Sequence, residues 1–227
     1  MKNKSGTVEP QYKILYDVVE KHGISSFGIM ANESWNQDPK RTLFTLARYK
    51  FVAKMFSGRK RVLEIGCADA FGTRLVQQEV KDLTAIDFDP LFIEDAISRL
   101  NPHWSINLFV HDMLAGIVPG APFDAIYSLD VLEHIDPSDE KVFMRNFIKS
   151  LMPGAPAIIG MPSLESQVHA SPQSKEGHVN CKSGIKFKND LEQYFENVFV
   201  FSMNDEVVHT GYYPMAHYLL ALCLNKK

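Results

Sequence analysis

The sequence, 227 residues long, lacks any long hydrophobic run. No stretch approaches eighteen apolar residues, so no membrane-spanning helix is expected. Its opening, MKNKSGTVEPQYK, has no apolar core of the kind a signal peptide needs. Cysteine is scarce: Cys67, Cys181 and Cys223 are far apart, odd in number and include no CxxC pair. That argues against a disulfide framework and leads us to expect a reduced, cytoplasmic protein. Neither sign of charge dominates, the net charge being −3, so there is no bulk electrostatic case for nucleic acid or an acidic membrane as partner. Internal repeats and low-complexity segments are also missing. What remains, 45% hydrophobic and 22% charged residues, is ordinary globular composition and fits one large domain or two small ones. Histidine is the exception. There are eight, and His169, His178, His209 and His217 all fall near the C-terminal end.

Apolar spacing predicts a helix over 8–22 that stops at Gly23, then a loop over 24–37. A second helix should start at the N-cap Asp38 with Pro39 in its first turn, and run to about 56. From residue 61 the pattern changes. Short apolar runs at 61–65, 83–87, 106–110, 123–129 and 155–161 alternate with helical stretches at 70–80, 90–100 and 138–151. That alternation means βαβ units and a doubly wound parallel sheet. The polar segment 162–186 breaks the rhythm and reads as a long functional loop. A helix over 187–194 and strands over 196–203 and 216–224 follow, the last two being an antiparallel pair at one sheet edge.

The densest chemistry lies in RVLEIGCADAFGT, 61–73. A strand running into Gly66 and then into a helix brings backbone N–H groups to a ligand at the carboxyl end of the sheet. Asp87 closes the next strand, where a carboxylate in such folds accepts hydrogen bonds from ribose hydroxyls. A nicotinamide site would need G-x-G-x-x-G, but Ala68 and Phe71 replace its second and third glycines, which argues against a dehydrogenase.

The ordered segments LEIGCADAFGT, AIDFDP, VHDM, FDAIYSLDVLEHI and PGAPAIIGMPS resemble the motifs of class I S-adenosylmethionine-dependent methyltransferases. Within that class they are most similar to the small-molecule branch related to ubiquinone biosynthesis. The likeness covers about 60–165 well and extends weakly to 203. It implies an α/β Rossmann-like sheet of seven strands, order 3-2-1-4-5-7-6 with strand 7 antiparallel. Residues 1–58 would form a helical cap or lid on a core over 59–227. It further implies that Glu64, Gly66, Cys67 and Ala68 pass under the methionine part of the cofactor. Asp87 and Phe88 would meet the ribose, Asp112 and Met113 the adenine, and Leu129 and Asp130 would stand beside the donor methyl. The family's second and third loop glycines are Ala68 and Ala70 here. A left-handed backbone at either would cost alanine about 1–2 kcal/mol. The loop is therefore expected to stay right-handed or extended.

The acceptor side is less legible. Asp130, Glu133 and His134 share a face if SLDVLEHI turns helical. Asp130 is read as a contact to cofactor or substrate. His134 is read as a base or as a cap before Pro137, and His178, in the 162–186 loop, as a base or as an ordinary loop histidine. Lys182 would add a cationic contact. Trp35, His209 and Tyr213 would wall the acceptor, and Arg48 or Tyr49 would meet the methionine carboxylate unless the second helix presents only a solvated basic face. His169, His178 and Cys181 do not have zinc-site spacing, so no metal is expected. The reading is methyl transfer from S-adenosylmethionine to a small polar acceptor. An oxygen acceptor in glycan, capsule or secondary-metabolite assembly is favoured over an amine, and a non-catalytic binding module is the rival class. The expected partner is a small molecule, and the chain is compatible with a homodimer.

Overall fold

A computed structural model describes residues 7–227. Residues 1–6, on which the start of the cap and part of the leader reading fall, lie outside the described residues. The expected helix over 8–22 is a 3-10 turn, Pro10–Tyr12, followed by α1, Lys13–His22, which Gly23 ends at φ +74°. The segment 24–37, expected as a loop, contains a helix instead: α2, Ile29–Gln37. Its weak apolar periodicity hid it, because its ordering comes from outside the segment. Asp69 Oδ2 accepts the N–H of Ala31 at 2.7 Å and Asp95 Oδ2 that of Ile29, so two distant carboxylates cap its first turn. The helix α3, Pro39–Met55, begins as the sequence predicts, with the Asp38 side chain accepting the N–H of Lys40.

The core follows the expected alternation. Its elements are β1 (Arg61–Ile65), α4 (Thr73–Gln77), β2 (Asp82–Asp87), α5 (Pro90–Ser98), β3 (Asn107–Val110), β4 (Ala125–Leu129), α6 (Glu140–Ser150) and β5 (Ala157–Pro162). The 162–186 segment is less irregular than expected, holding a 3-10 helix, Glu165–His169, and α7, Pro172–Gly177. Then come α8 (Gly184–Leu191), β6 (Phe195–Asn204), β7 (Val207–His209) and β8 (Tyr218–Lys226). The sheet order is β3-β2-β1-β4-β5-β8-β6-β7. The first five strands are parallel, and β8 runs antiparallel between β5 and β6. The expected seven-strand order therefore stands, with one short strand, β7, added by a hairpin at the outer edge.

Every residue of β4 is buried and β1 is exposed only at Arg61, as a central strand covered on both faces requires. One face packs Leu63, Ile126, Ile159 and Phe143, and the other packs Val62, Tyr127, Ile158 and Phe56. All parallel strands end at one edge, where loops must leave the sheet and ligands can enter. The antiparallel register Tyr218↔Pro162 and Met203↔Tyr218 brings the start of β8 and the end of β6 to that same edge.

Candidate active site at the carboxyl edge of the sheet

Beyond β1 the chain continues to pair with β2, the N–H groups of Gly66 and Cys67 both donating to Ile86 O. The turn that follows is tight. Gly66 has φ +77°, and a Cβ there would lie 2.1 Å from Val131 Cγ2, so only glycine fits. Ala68 and Ala70 have φ +45° and +54°. This corrects the expectation of a right-handed or extended loop. The loop is left-handed at both alanines and carries that strain because it is anchored on each side. Asp87 Oδ2 accepts the Ala68 N–H at 2.9 Å, and Ala70 N–H bonds to Cys67 O.

Asp87 Oδ1 also accepts the Asp89 N–H at 3.0 Å, so two backbone donors orient the carboxylate at the head of a cleft. The cleft, about 50 Å³ in volume, opens beyond the ends of β1, β2 and β3, and Gly66, Asp87, Phe88, Asp112, Met113 and Val131 line it. Asp112 is exposed, and its Oδ1 is occupied by the Leu114 N–H. Three residues expected at the cofactor present no side chain to it. Glu64 lies fully buried under the loop, accepting the Tyr49 hydroxyl on Oε1 at 2.8 Å and the Tyr127 hydroxyl on Oε2 at 2.7 Å. Burial pushes its carboxyl up to about 7, against the two hydroxyl hydrogen bonds that favour the charged form. Cys67 is buried against Ala85 and Ile93. Leu129 is buried in the core with Tyr218 and Leu220. Tyr49, with its hydroxyl committed to Glu64 and its ring filling the space over Gly72, is likewise a support for the loop.

Arg48 is not part of a solvated basic face. Its Nη1 binds both carboxylate oxygens of Asp130, at 2.9 and 2.8 Å, and its guanidinium lies 3.8 Å from the centre of the Tyr218 ring. The neighbouring Asp130 charge raises its pKa against the desolvation that lowers it. Arg48 Nε is buried without a hydrogen-bond partner. Asp130 itself has φ +57°, and its N–H donates to Gly160 O, so the chain turns sharply off β4 and points the carboxylate at α3.

After Asp130 the chain makes one 3-10 turn, Leu132–His134, which separates the three polar residues instead of aligning them. Glu133 points inward with no exposure, while the His134 side chain is 47% exposed. Burial, then the Asp130 charge, raise the Glu133 carboxyl well above the usual range. His178 packs edge-on against His134, ring centres 5.1 Å apart, and burial lowers its pKa. These three residues bring their ligand atoms within 4.8 Å of one another. The trio weighed from spacing, His169, His178 and Cys181, is not the one that converges.

The remaining acceptor-side expectations divide. Lys182 is buried, paired to Glu140 at 2.8 Å and Asp190 at 3.1 Å, so it is a structural cation and not a substrate contact. His209 is on β7, four strand positions from β4 or about 19 Å away. One of its ring nitrogens takes the Gly211 N–H, so it does not wall the cleft. Tyr213 donates to Val200 O and packs against Gly184. Trp35 is half exposed and stacks on Phe27, which in turn meets Phe71 of the glycine loop, so α2 and the segment before it are held to the loop by aromatic contacts as well as by Asp69. Sequence reasoning left His217 unassigned. Its proximity to Arg48, Asp130 and the Phe44 ring puts it nearer the site than His209, and only the β5–β8 register reveals that.

Residues 62–154 match a family model described as a methyltransferase domain. The chain is 27% identical over 145 residues to the mitochondrial ubiquinone biosynthesis O-methyltransferase of Schizosaccharomyces pombe, covering 59% of this chain and 51% of that protein. It is 28% identical over 138 residues to the ubiquinone biosynthesis O-methyltransferase of Xanthomonas campestris pv. campestris, covering 58% of this chain and 56% of that one. The chain thus spans about half the length of the curated relatives it matches. Its fold is shared with the N-methyltransferase NodS from Bradyrhizobium japonicum WM9 in complex with S-adenosyl-L-homocysteine, at a TM-score of 0.63 and 22% identity, over 84% of this chain and 90% of that one.

Proposed function

Because this chain is built on a class I S-adenosylmethionine-dependent methyltransferase domain, we propose that it transfers a methyl group to a hydroxyl of a small polar metabolite. The cofactor of such a domain is S-adenosylmethionine, which supplies a sulfonium methyl open to attack by a nucleophile. The residues present fit it. Asp87, oriented by two N–H groups, has lone pairs left for ribose hydroxyls. Asp112 has a second oxygen for the adenine amine, with Met113 and Val131 as apolar walls. Arg48 Nε is a buried donor without an acceptor on the side chain that binds Asp130, and it would suit the methionine carboxylate. A methyl group held by these contacts would lie near Asp130, and in-line positioning supplies most of the rate.

One observation carries the oxygen reading: His134 and His178 stand together beside Asp130 with ring centres 5.1 Å apart, each with Nδ1 at a carbonyl oxygen, and burial lowers the pKa of His178. An acceptor hydroxyl must lose its proton as its oxygen attacks, whereas a neutral amine needs no base for the attack. The names of the ubiquinone-pathway relatives agree with oxygen, while the fold likeness to NodS makes an amine the second reading.

Calorimetric titration tests the premise. S-adenosylmethionine should bind one site per chain, and Asp87→Asn should weaken it about tenfold to a hundredfold, the worth of a charged hydrogen bond. Absence of heat at millimolar cofactor would overturn the proposal. Equal affinity in the two proteins would remove Asp87 from the ribose. Incubation with candidate metabolites and mass detection of the methylated product then separates oxygen from nitrogen acceptors.

A further inference from the structure

We propose that Arg99 is a positioning residue for the cofactor. It holds the glycine loop in the left-handed form that Ala70 opposes, acting through the main-chain carbonyl of Asp69. This rests on the cofactor reading above.

The loop carries two alanines where L residues rarely sit, Ala68 at φ +45° and Ala70 at φ +54°. Such a backbone persists only where its surroundings over-determine it. A peptide unit is planar, so fixing both its carbonyl and its N–H fixes the dihedral angles on either side. The unit joining Cys67 to Ala68 is held at both ends. Its N–H donates to Asp87 Oδ2 at 2.9 Å, and its carbonyl accepts the Ala70 N–H at 2.8 Å. The unit joining Asp69 to Ala70 is held by that same N–H and, at its carbonyl, by Arg99 Nη2 at 2.5 Å. Arg99 is thus to the second strained alanine what Asp87 is to the first.

The guanidinium is itself aimed. Its Nε and Nη2 donate to Asp95 Oδ2 at 3.1 and 2.7 Å, one helical turn earlier in the chain. Nη2 carries two hydrogens, so one serves Asp95 and the other Asp69 O. A charged donor makes the stronger kind of hydrogen bond, and the Arg99 side chain is only 17% exposed, so water screens it little. Room for this contact comes from Gly28. A Cβ there would lie 2.4 Å from Arg99 Nη2 and 2.4 Å from Asp69 Oδ2, while φ is an ordinary −80°. Glycine at 28 therefore serves close approach and not conformation.

The helix α2 leans on the same cluster, but by different atoms. Ala31 N–H is bound by the Asp69 side chain and Ile29 N–H by Asp95, whereas Arg99 binds the Asp69 main chain. The two roles are separable. Alanine resists a left-handed backbone and glycine does not. The need for Arg99 should therefore vanish when residue 70 is glycine. A residue that only supported α2 would show no such dependence.

Calorimetry on the full chain tests this, with S-adenosylhomocysteine and 5′-methylthioadenosine as the two ligands. The second shares the adenosine and lacks the amino-acid part, under which the loop is read to pass. Arg99→Gln keeps an i,i+4 hydrogen bond to Asp95 and is too short to reach Asp69 O. It should weaken S-adenosylhomocysteine about tenfold and leave 5′-methylthioadenosine within about twofold of wild type. Ala70→Gly alone should bind both ligands at least as tightly as wild type. Combined with Arg99→Gln, it should recover the affinity lost, the coupling expected of two residues acting on one peptide unit. Unchanged S-adenosylhomocysteine affinity in Arg99→Gln would overturn the proposal. Equal losses for the two ligands would make Arg99 a residue of the fold and overturn it too, as would a double variant no tighter than Arg99→Gln. A wild-type chain that binds neither ligand removes the cofactor reading and the proposal together, whereas a wild-type chain that binds both keeps that reading whatever Arg99→Gln does.

Discussion

Replacing Gly66 by alanine should destabilise the chain by about 3 kcal/mol or more, the sum of two costs at one atom. Residue 66 has φ +77°, where an alanine costs about 1–2 kcal/mol over glycine. The new Cβ would also stand 2.1 Å from Val131 Cγ2, and forcing an extra carbon into packed surroundings costs about 1–3 kcal/mol. The residue cannot turn away, since its N–H and that of Cys67 are tied to Ile86 O. Denaturant unfolding of Gly66→Ala, Val131→Ala and the double variant separates the terms. In the Val131→Ala background only the backbone cost should remain, giving a coupling of about 1 kcal/mol or more. Coupling near zero would mean that the clash is relieved elsewhere. Gly66 and Val131 line the same cleft, so cofactor affinity should fall with stability.

Stability should also fall by about 3 kcal/mol between pH 4.5 and pH 7 through Glu64 alone. Its carboxyl is raised from 4.5 to about 7 in the folded chain. Across that window the folded chain holds a proton that the unfolded chain has released. The contribution is therefore complete at the acid end, is lost progressively as pH rises through the folded value, and is flat above it. Histidines with lowered pKa, such as His178 and His217, act in the opposite direction, so the comparison must isolate the one group. Glu64→Gln keeps the shape and removes the titration. The difference in unfolding free energy between wild type and Glu64→Gln, measured across this range, should carry the whole slope. A difference independent of pH would show that the Tyr49 and Tyr127 hydroxyls hold the carboxylate charged.

The strand–helix alternation from residue 61, the turn at Gly66 and the carboxylate ending β2 were all legible because they are local. Strand burial, turn chemistry and residue spacing express themselves within ten or so residues. The helix α2 was not legible, since its caps are Asp69 and Asp95, far along the chain. The left-handed Ala68 was also hidden. An intrinsic preference opposes it, and the hydrogen bond to Asp87 that holds it exists only once β1 and β2 are paired.

By itself the sequence determined the strand–helix alternation and the turn at Gly66, and its family resemblance implied the cofactor and the order of seven of the eight strands. The tertiary structure decided which polar residues face one another. Arg48 reaches Asp130 across 82 positions, and Lys182 is drawn inside by Glu140 and Asp190. Glu133 turns in with no hydrogen bond to its carboxylate, while His134 turns out to meet His178. Such pairings depend on strand register and on which groups burial leaves unsatisfied, and both arise only when the sheet closes.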